Sequence, residues 1–465
     1  MPEVPVRPRP IRALHGVAGE DAAARYDQRV RRVRLLMQGR TLWNINSTAE
    51  GGGVAELLRS SLGYLRHGGI DVRWLVVEGD DAFFRVTKRI HNRLHGDLGD
   101  GGRLGPAERR HYDEITTRNL AEVQARVRPK DVVVVHDPQP LGLIRHLSSR
   151  AIRVIWTCHV GVDTPNDIVR SAWDFLRDDV LAVSVCTFTR RPYVWDGLDE
   201  GRVVLILPCI DPLSAKNLDL MPDVAAAIVG AAGLIEGTRH ARPTFVRSNG
   251  VEATIVHNAQ LTEDAPVPAD APIVAQVSRW DALKDPAGVM RGFVDHPDLS
   301  EAHLVLAGPT PSSVADDPEA RSVLGDVIER RRGLRRADRE RVHVANLPTD
   351  DVEENAIIVN ALQRRADVVV QKSLAEGFGL TVTEAMWKER PVVAGAVGGI
   401  QDQIENGVSG VLIDPRDKDA FGDAVHDLLD DPDRRRRLGV AAKDPVRERY
   451  LPLEYLGAYL DVVQL

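Results

Sequence analysis

Two carboxylates separated by seven residues, Glu376 and Glu384, stand in the run Ser373-Leu374-Ala375-Glu376-Gly377-Phe378-Gly379-Leu380-Thr381-Val382-Thr383-Glu384-Ala385. The run follows an apolar strand candidate, Val368–Val370, and opens a helix near Leu380. Glu376 therefore falls on a loop beside the backbone N–H groups of Phe378, Gly379 and Leu380, and Glu384 about one turn into the helix. Ionised carboxylates suit sugar hydroxyls, because each accepts two hydrogen bonds from a vicinal diol. Nothing about capping a helix asks for Gly-Phe-Gly here, so the segment reads as a binding loop.

Three further constellations lie at the ends of strand candidates. Asn46-Ser47-Thr48-Ala49-Glu50-Gly51-Gly52-Gly53 leads into a helix from Val54. A strand, a glycine turn and a helix N-terminus form an anion site, although a bare tight turn uses the same glycines. Ser278-Arg279 closes the strand Ile273–Val277, with Lys284 five residues on. Arg offers a planar fork and Lys a point charge to a diphosphate, and ordinary surface cations look the same in sequence. His136-Asp137-Pro138-Gln139-Pro140 and Trp156-Thr157-Cys158-His159 each end a strand candidate in the first half. A lone histidine is usually structural; polar groups at the carboxyl ends of successive strands point to a ligand crevice.

The elements that carry these loops alternate. Buried strands are expected at Arg40–Ile45, Asp71–Val77, Asp131–His136, Arg153–Cys158, Val180–Val185 and Val203–Leu207, with helices at Val54–His67 and Tyr112–Val127. A second series follows at Ile273–Val277, His303–Ala307, Val342–Ala345, Val368–Val370, Val392–Ala394 and Gly410–Ile413. Apolar strands alternating with helices imply parallel sheets covered on both faces. The expected fold is α/β, with two doubly wound Rossmann-like domains facing across a cleft, and 465 residues suit two such domains. The junction falls near Leu207-Pro208-Cys209-Ile210-Asp211-Pro212, giving domains at 1–210 and 211–449 and a final helix, 450–465, that completes the first. Residues 213–271 are less regular, and five glycines within Gly96–Gly105 mark a loop.

Composition narrows the classes of function. A net charge of −8 spread along the chain gives no nucleic-acid signature. The arginine stretches Arg330–Arg341 and Arg434–Arg437 read as solvated faces. Cys158, Cys186 and Cys209 are too few and too scattered for a disulfide framework or a zinc site. No apolar run is long enough to span a membrane and the N-terminus lacks a secretory core, so a cytoplasmic protein is expected. Asp417-Lys418-Asp419 and Asp431-Pro432-Asp433 read as helix caps, so no metal is assigned.

With these residues in hand, the frame E-G-F-G-L-x-x-x-E, Ser278-Arg279…Lys284 and the glycine loop resemble the retaining glycosyltransferases of family 4. Asn46–Glu56, His136–Pro140, Asp211-Pro212-Leu213-Ser214 and Gly379–Lys388 are similar, within that group, to the trehalose glycosyltransferring synthases. The resemblance runs from about residue 40 to the end. It implies a GT-B fold and transfer of glucose from a nucleoside diphosphate glucose (UDP-, ADP- or GDP-glucose) to free glucose, giving trehalose. It also implies small-molecule partners alone, with no nucleic acid, membrane or cofactor, and leaves a homodimer open. By position Arg279 and Lys284 would hold the diphosphate, Glu384 the ribose, and Glu376 with Phe378, Gly379 and Leu380 the donor sugar. Gly52 and Gly53 would approach the donor, His159 the reacting carbon, and Asp137 and Asn46 the acceptor; His159, Glu376, Arg279 and Lys284 form the catalytic set. Departures fall at Thr157, where the family tends to carry Arg, at Val160-Gly161-Val162-Asp163, and in a longer stretch near 230–265. Rival readings are transfer to another acceptor such as a sugar phosphate, phosphorolysis, nucleotide-sugar epimerisation, and a nucleotide-sugar binder without turnover.

Overall fold

The computed structural model describes residues 1–50, 52–148, 152–236, 241–311 and 319–464. Sixteen strands are present among them. β1 (Glu3–Val4), β2 (Leu42–Asn46), β3 (Val72–Val76), β4 (Val132–His136), β5 (Arg153–Cys158), β6 (Val185–Phe188) and β7 (Val203–Leu205) form one sheet. β8 (Thr244–Val246) and β9 (Glu252–Thr254) make a small hairpin. β10 (Gln260–Thr262), β11 (Ile273–Val277), β12 (His303–Pro309), β13 (Val342–Leu347), β14 (Val368–Gln371), β15 (Val392–Gly395) and β16 (Val411–Ile413) form the second large sheet.

Each large sheet is parallel except at one edge, where β1 and β10 run antiparallel to their neighbours. The orders are β1-β3-β2-β4-β5-β6-β7 and β10-β13-β12-β11-β14-β15-β16. β2, β4 and β11 are buried along their whole length, as strands covered by helices on both faces must be. Each sheet accordingly carries two apolar cores, one per face; Trp156 and Leu176 lie on one side of the first sheet and Val134 and Leu456 on the other. Winding reverses between β2 and β4 in the first sheet and between β11 and β14 in the second. In open α/β sheets the ligand crevice lies outside the carboxyl ends at such reversals.

The chain returns to the first sheet at its end. Helix Pro452–Gln464 packs on helix Glu20–Leu36, with Arg25–Glu454 and Arg29–Asp461 pairs at 2.9 and 3.0 Å. Its Leu453, Leu456 and Leu460 share a core with Leu42 and Val72.

Three expectations need correction. The strand placed at Val180–Val185 is β6 at Val185–Phe188, because Val180 belongs to the buried face of helix Asp167–Leu181. Short apolar runs do not distinguish the two states. The arginine stretch Arg330–Arg341 is not solvated throughout: Arg331 is 3% exposed and donates to Val342 O, Arg339 O and Asp264. Arg341 lies over the Phe293 ring and donates to Leu299 O. Residues 213–271 are more regular than expected, holding helix Pro222–Ala231, the hairpin and β10 among the described positions. Asp417 and Asp431 do cap helices, accepting from Ala420 N and Arg434 N, and all three cysteines are buried and free. No helix among the described residues is long and apolar enough to cross a membrane.

Candidate active site

The motif loops emerge at the two reversals and meet across the cleft. Gly52 precedes helix Gly53–His67 with an extended backbone and no side-chain cap; Gly51 lies outside the described residues. A Cβ on Gly53 would stand 3.0 Å from Leu380 Cδ1, so this helix start packs tightly against the second domain. Opposite it, Gly379 is the left-handed N-cap (φ 90°) of helix Leu380–Trp387, again without a side-chain cap. Two helix N-termini, each with partial positive charge, thus come together at Gly53 and Leu380.

Beside them lie the cations. Lys284 Nζ is 2.5 Å from Glu376 Oε2, which also accepts from Ser373 Oγ at 3.3 Å. Arg279 lies 3.8 Å from Asp281, and Lys88 of the first domain reaches Asp281 at 3.0 Å and Glu319 at 2.8 Å. Burial works to raise the Asp281 carboxyl, but Lys88, Arg279 and Lys284 outweigh it and hold the group well below the usual range.

The first-domain loops close over the glutamate loop. A Cβ on Gly377 would stand 2.4 Å from His159 O, which makes glycine obligatory there. His159 N donates to Asp137 Oδ1 at 2.8 Å, and Asp137 itself is left-handed, φ 61°. A non-glycine residue in that region costs about 1–3 kcal/mol and is held by its surroundings; here Asp137 N donates to Thr157 O and Trp156 Nε1 to Asp137 O. The His159 ring stacks on His136 at 5.6 Å, with Nε2 3.3 Å from His136 Nδ1, and His136 Nε2 lies 3.0 Å from Asn44 Oδ1. Burial lowers both imidazoles below the ordinary histidine value. Asn46 is placed differently from its neighbours in the motif. It is buried, accepts from Trp74 Nε1 at 2.7 Å and donates to Thr48 O at 2.7 Å, so its amide shapes the loop.

Glu384 is 1% exposed and pairs with Lys216 at 3.1 Å; Lys216 also pairs with Glu56 at 2.8 Å. Burial raises the Glu384 carboxyl, and Lys216 opposes that. Phe378 is buried against Tyr450.

Several residues at this junction carry no motif. Tyr193 Oη donates to the carbonyls of Glu376 and Gly377 at 2.8 and 2.9 Å. Arg190 pairs with Asp163 and Asp402, and Asp163 accepts from Gly398 N at 3.0 Å and Gln401 Nε2 at 2.8 Å. The one signal for any of these was the unusual segment ending in Asp163. A depression of about 510 Å³ between Arg34, Arg40 and Arg128 lies at the opposite, amino end of the first sheet.

The buried histidines predict an acid limit. His95 is held at about 4 by burial and Lys284, and His136 well below its ordinary value by burial and His159. Unfolded, each binds a proton near pH 6.5 that the folded chain refuses. Stability should therefore fall as pH drops through 6.5 toward 4, by up to about 1.4 kcal/mol per pH unit for each such group. Urea midpoints at pH 7.5 and pH 5.0 check this; an equal or higher midpoint at pH 5.0 would contradict the neutral assignment.

Residues 44–195 match the family described as trehalose synthase, N-terminal domain, and residues 259–444 match glycosyl transferases group 1. The trehalose synthase of Rubrobacter xylanophilus is 36% identical over 419 residues, covering 89% of this chain and 88% of its own. That of Pyrococcus horikoshii is 32% identical over 456 residues, covering 98% and 96%. Among solved structures, an α,α-trehalose-phosphate synthase (UDP-forming) from Burkholderia vietnamiensis superposes with a TM-score of 0.63 at 17% identity, covering 92% of this chain and 99% of that one. At that identity the likeness shows the fold alone, which is GT-B. Matched on both halves and at more than 30% identity over nearly its whole length, the chain belongs to the trehalose synthase family and is a GT-B glycosyltransferase.

Proposed function

We propose that the protein transfers glucose from a nucleoside diphosphate glucose to free glucose with retention, forming α,α-trehalose without a metal ion. The observation that carries this is the meeting of two helix N-termini lacking side-chain caps, at Gly53 and Gly379, with Arg279, Lys284 and the Glu376 loop. Such a cluster suits a diphosphate leaving group, whose growing charge it can take without Mg²⁺. In the proposed step the anomeric carbon loses its bond to the β-phosphate oxygen as the acceptor hydroxyl oxygen bonds on the same face. The departing phosphate takes the hydroxyl proton.

An uncharged acceptor is favoured by the pairing of the first-domain cations. A phosphate ester needs a basic cluster there. Lys88 is buried between Asp281 and Glu319, and Arg89 is engaged by Asp100 and Arg103 O. Of Arg85, Lys88 and Arg89, the first-domain cations near enough in sequence to serve a phosphorylated acceptor, only Arg85 is exposed.

The test is incubation with UDP-, ADP- and GDP-glucose and either glucose or glucose 6-phosphate, after EDTA dialysis, with the product linkage read by NMR. Formation of α,α-trehalose from glucose supports the reading. Transfer only to the phosphate ester, a different linkage, or activity restored only by Mg²⁺ would each remove the corresponding part. Glu384→Ala should weaken donor binding by about 1.5–3 kcal/mol, the usual worth of a charged hydrogen bond. An unchanged donor Kd in calorimetry would take Glu384 out of the site.

A further inference from the structure

One half-buried cation at the junction has no part in the chemistry above. Lys216 lies just after the Asp211-Pro212-Leu213-Ser214 turn, in the segment that joins the two sheets. That segment is tied to both sides. Asp211 accepts from Tyr64 Oη at 2.9 Å and pairs with Arg9 at 2.5 Å, both in the first domain. Asn217 accepts from Trp387 Nε1 at 3.2 Å and Lys388 Nζ at 3.0 Å, both in the second. Between them Lys216 spans Glu384 Oε1 and Glu56 Oε2, and Glu56 sits in the first turn of the helix that follows the glycine loop.

The other Glu384 oxygen, Oε2, is buried and has no hydrogen-bond partner. Glu384 also lines, with Leu380, Glu56, Ser60 and Asp211, a small void of about 10 Å³. A buried carboxylate oxygen without a donor is costly, and a sugar hydroxyl is the kind of group that satisfies it.

We propose that Lys216 is the positioning residue for the nucleoside part of the donor, holding Glu384 so that its open oxygen meets the ribose hydroxyls and linking that geometry, through Glu56, to the glycine-loop helix. This rests on the glycosyltransferase reading above. The charged groups facing Glu384 are Lys216, Glu56 and Lys388, with Arg364 beyond Lys388. Burial pushes the Glu384 carboxyl up and Glu56 adds to that; Lys216 and Lys388 pull it down. Burial also lowers Lys388, whose ammonium is already shared by Asn217, Gln363 and Glu384 O. Lys216 is then the stronger of the two cations that favour Glu384 meeting the ribose as a carboxylate. Without it the carboxyl would hold its proton to higher pH, and donor affinity should become dependent on pH.

The experiment is calorimetric titration of the full chain with UDP-glucose, ADP-glucose and GDP-glucose at pH 6.5 and 8.5, for wild type, Lys216→Met, Lys216→Arg, Glu384→Gln and Lys216→Met/Glu384→Gln. Lys216→Met should bind the preferred donor about 10-fold more weakly at pH 6.5 and recover part of that loss at pH 8.5. Lys216→Arg should stay within about threefold of wild type, keeping the charge. The double variant should bind no more weakly than Glu384→Gln, because Lys216 acts through Glu384. A Lys216→Met Kd equal to wild type at both pH values overturns the inference and leaves the donor reading intact. So does a double variant weaker than Glu384→Gln by the full Lys216→Met factor, a readout that Lys216→Gln repeats if the Met variant unfolds. Failure of all three nucleotides to bind the wild-type chain overturns both.

Discussion

Lys284→Met should lower kcat/KM for the donor by about 100- to 1000-fold, the loss expected when one preorganised charge is removed from a developing anion. It should also destabilise the fold, for a reason separable from the chemistry. Lys284 and Glu376 are 17% and 11% exposed in their side chains and lie 2.5 Å apart. Removing one partner of a largely buried pair leaves the other charge uncompensated, at about 3–5 kcal/mol. The double variant Lys284→Met/Glu376→Gln removes both charges and should recover most of that stability. It should recover none of the activity if Lys284 faces the diphosphate and Glu376 the sugar. Thermal midpoints beside kcat/KM for the three single and double variants make the separation. Recovery of both together would mean that the pair holds the loop and nothing more.

That pair also marks how far the sequence could be read. Its members are legible separately, each at the end of a buried strand, because strands covered on both faces leave uninterrupted runs of Val, Ile and Leu closed by a loop. The placement of Arg279 with β11 and Glu376 with β14 followed from the same pattern. That the two loops meet follows from a reversal in strand order, which periodicity does not encode. The helix Glu20–Leu36 is hard to read for a different reason. Its arginines suggest a solvated segment, yet Tyr26, Val30 and Val33 recur at helical spacing and are buried.

Contacts between the domains were the least legible part. Tyr193 reaches Glu376 O, Arg190 reaches Asp402, and Lys216 reaches Glu56 across separations of 183, 212 and 160 residues in the chain. In sequence each is an ordinary polar residue, with nothing to set it apart from the exposed Arg191 next door. Asp163 is instructive because it stood in a stretch that departs from the resemblance. The structure uses that stretch to bind Gly398 N and Gln401, so the departure falls on a domain contact. The adjacent departure, Thr157, is buried and accepts from Thr187 Oγ1 at 2.9 Å, leaving no room for an arginine's length without repacking.

His159→Ala should lower kcat by on the order of 100-fold or more while donor Kd moves by no more than about threefold. The backbone of His159 is fixed independently of its ring, by the N–H to Asp137 and by the approach of its carbonyl to Gly377. Alanine should therefore keep the loop closed over the glutamate segment and remove the imidazole alone. Burial holds that imidazole neutral near pH 7, so it offers a hydrogen bond and no full charge to the reacting sugar. A group of this kind contributes through position, more in the transition state than in the ground state. The His136 ring stacked beneath it and the Asn44 amide behind that ring keep it in one orientation. His136→Phe should then lower kcat less than His159→Ala, because the ring it supports remains. The rate should stay level between pH 7 and 8, where neither imidazole titrates. Steady-state rates with donor binding by calorimetry decide the matter. A fall in donor affinity that accounts for the whole loss of kcat/KM would make His159 a binding residue, and wild-type values of both would make it a structural one.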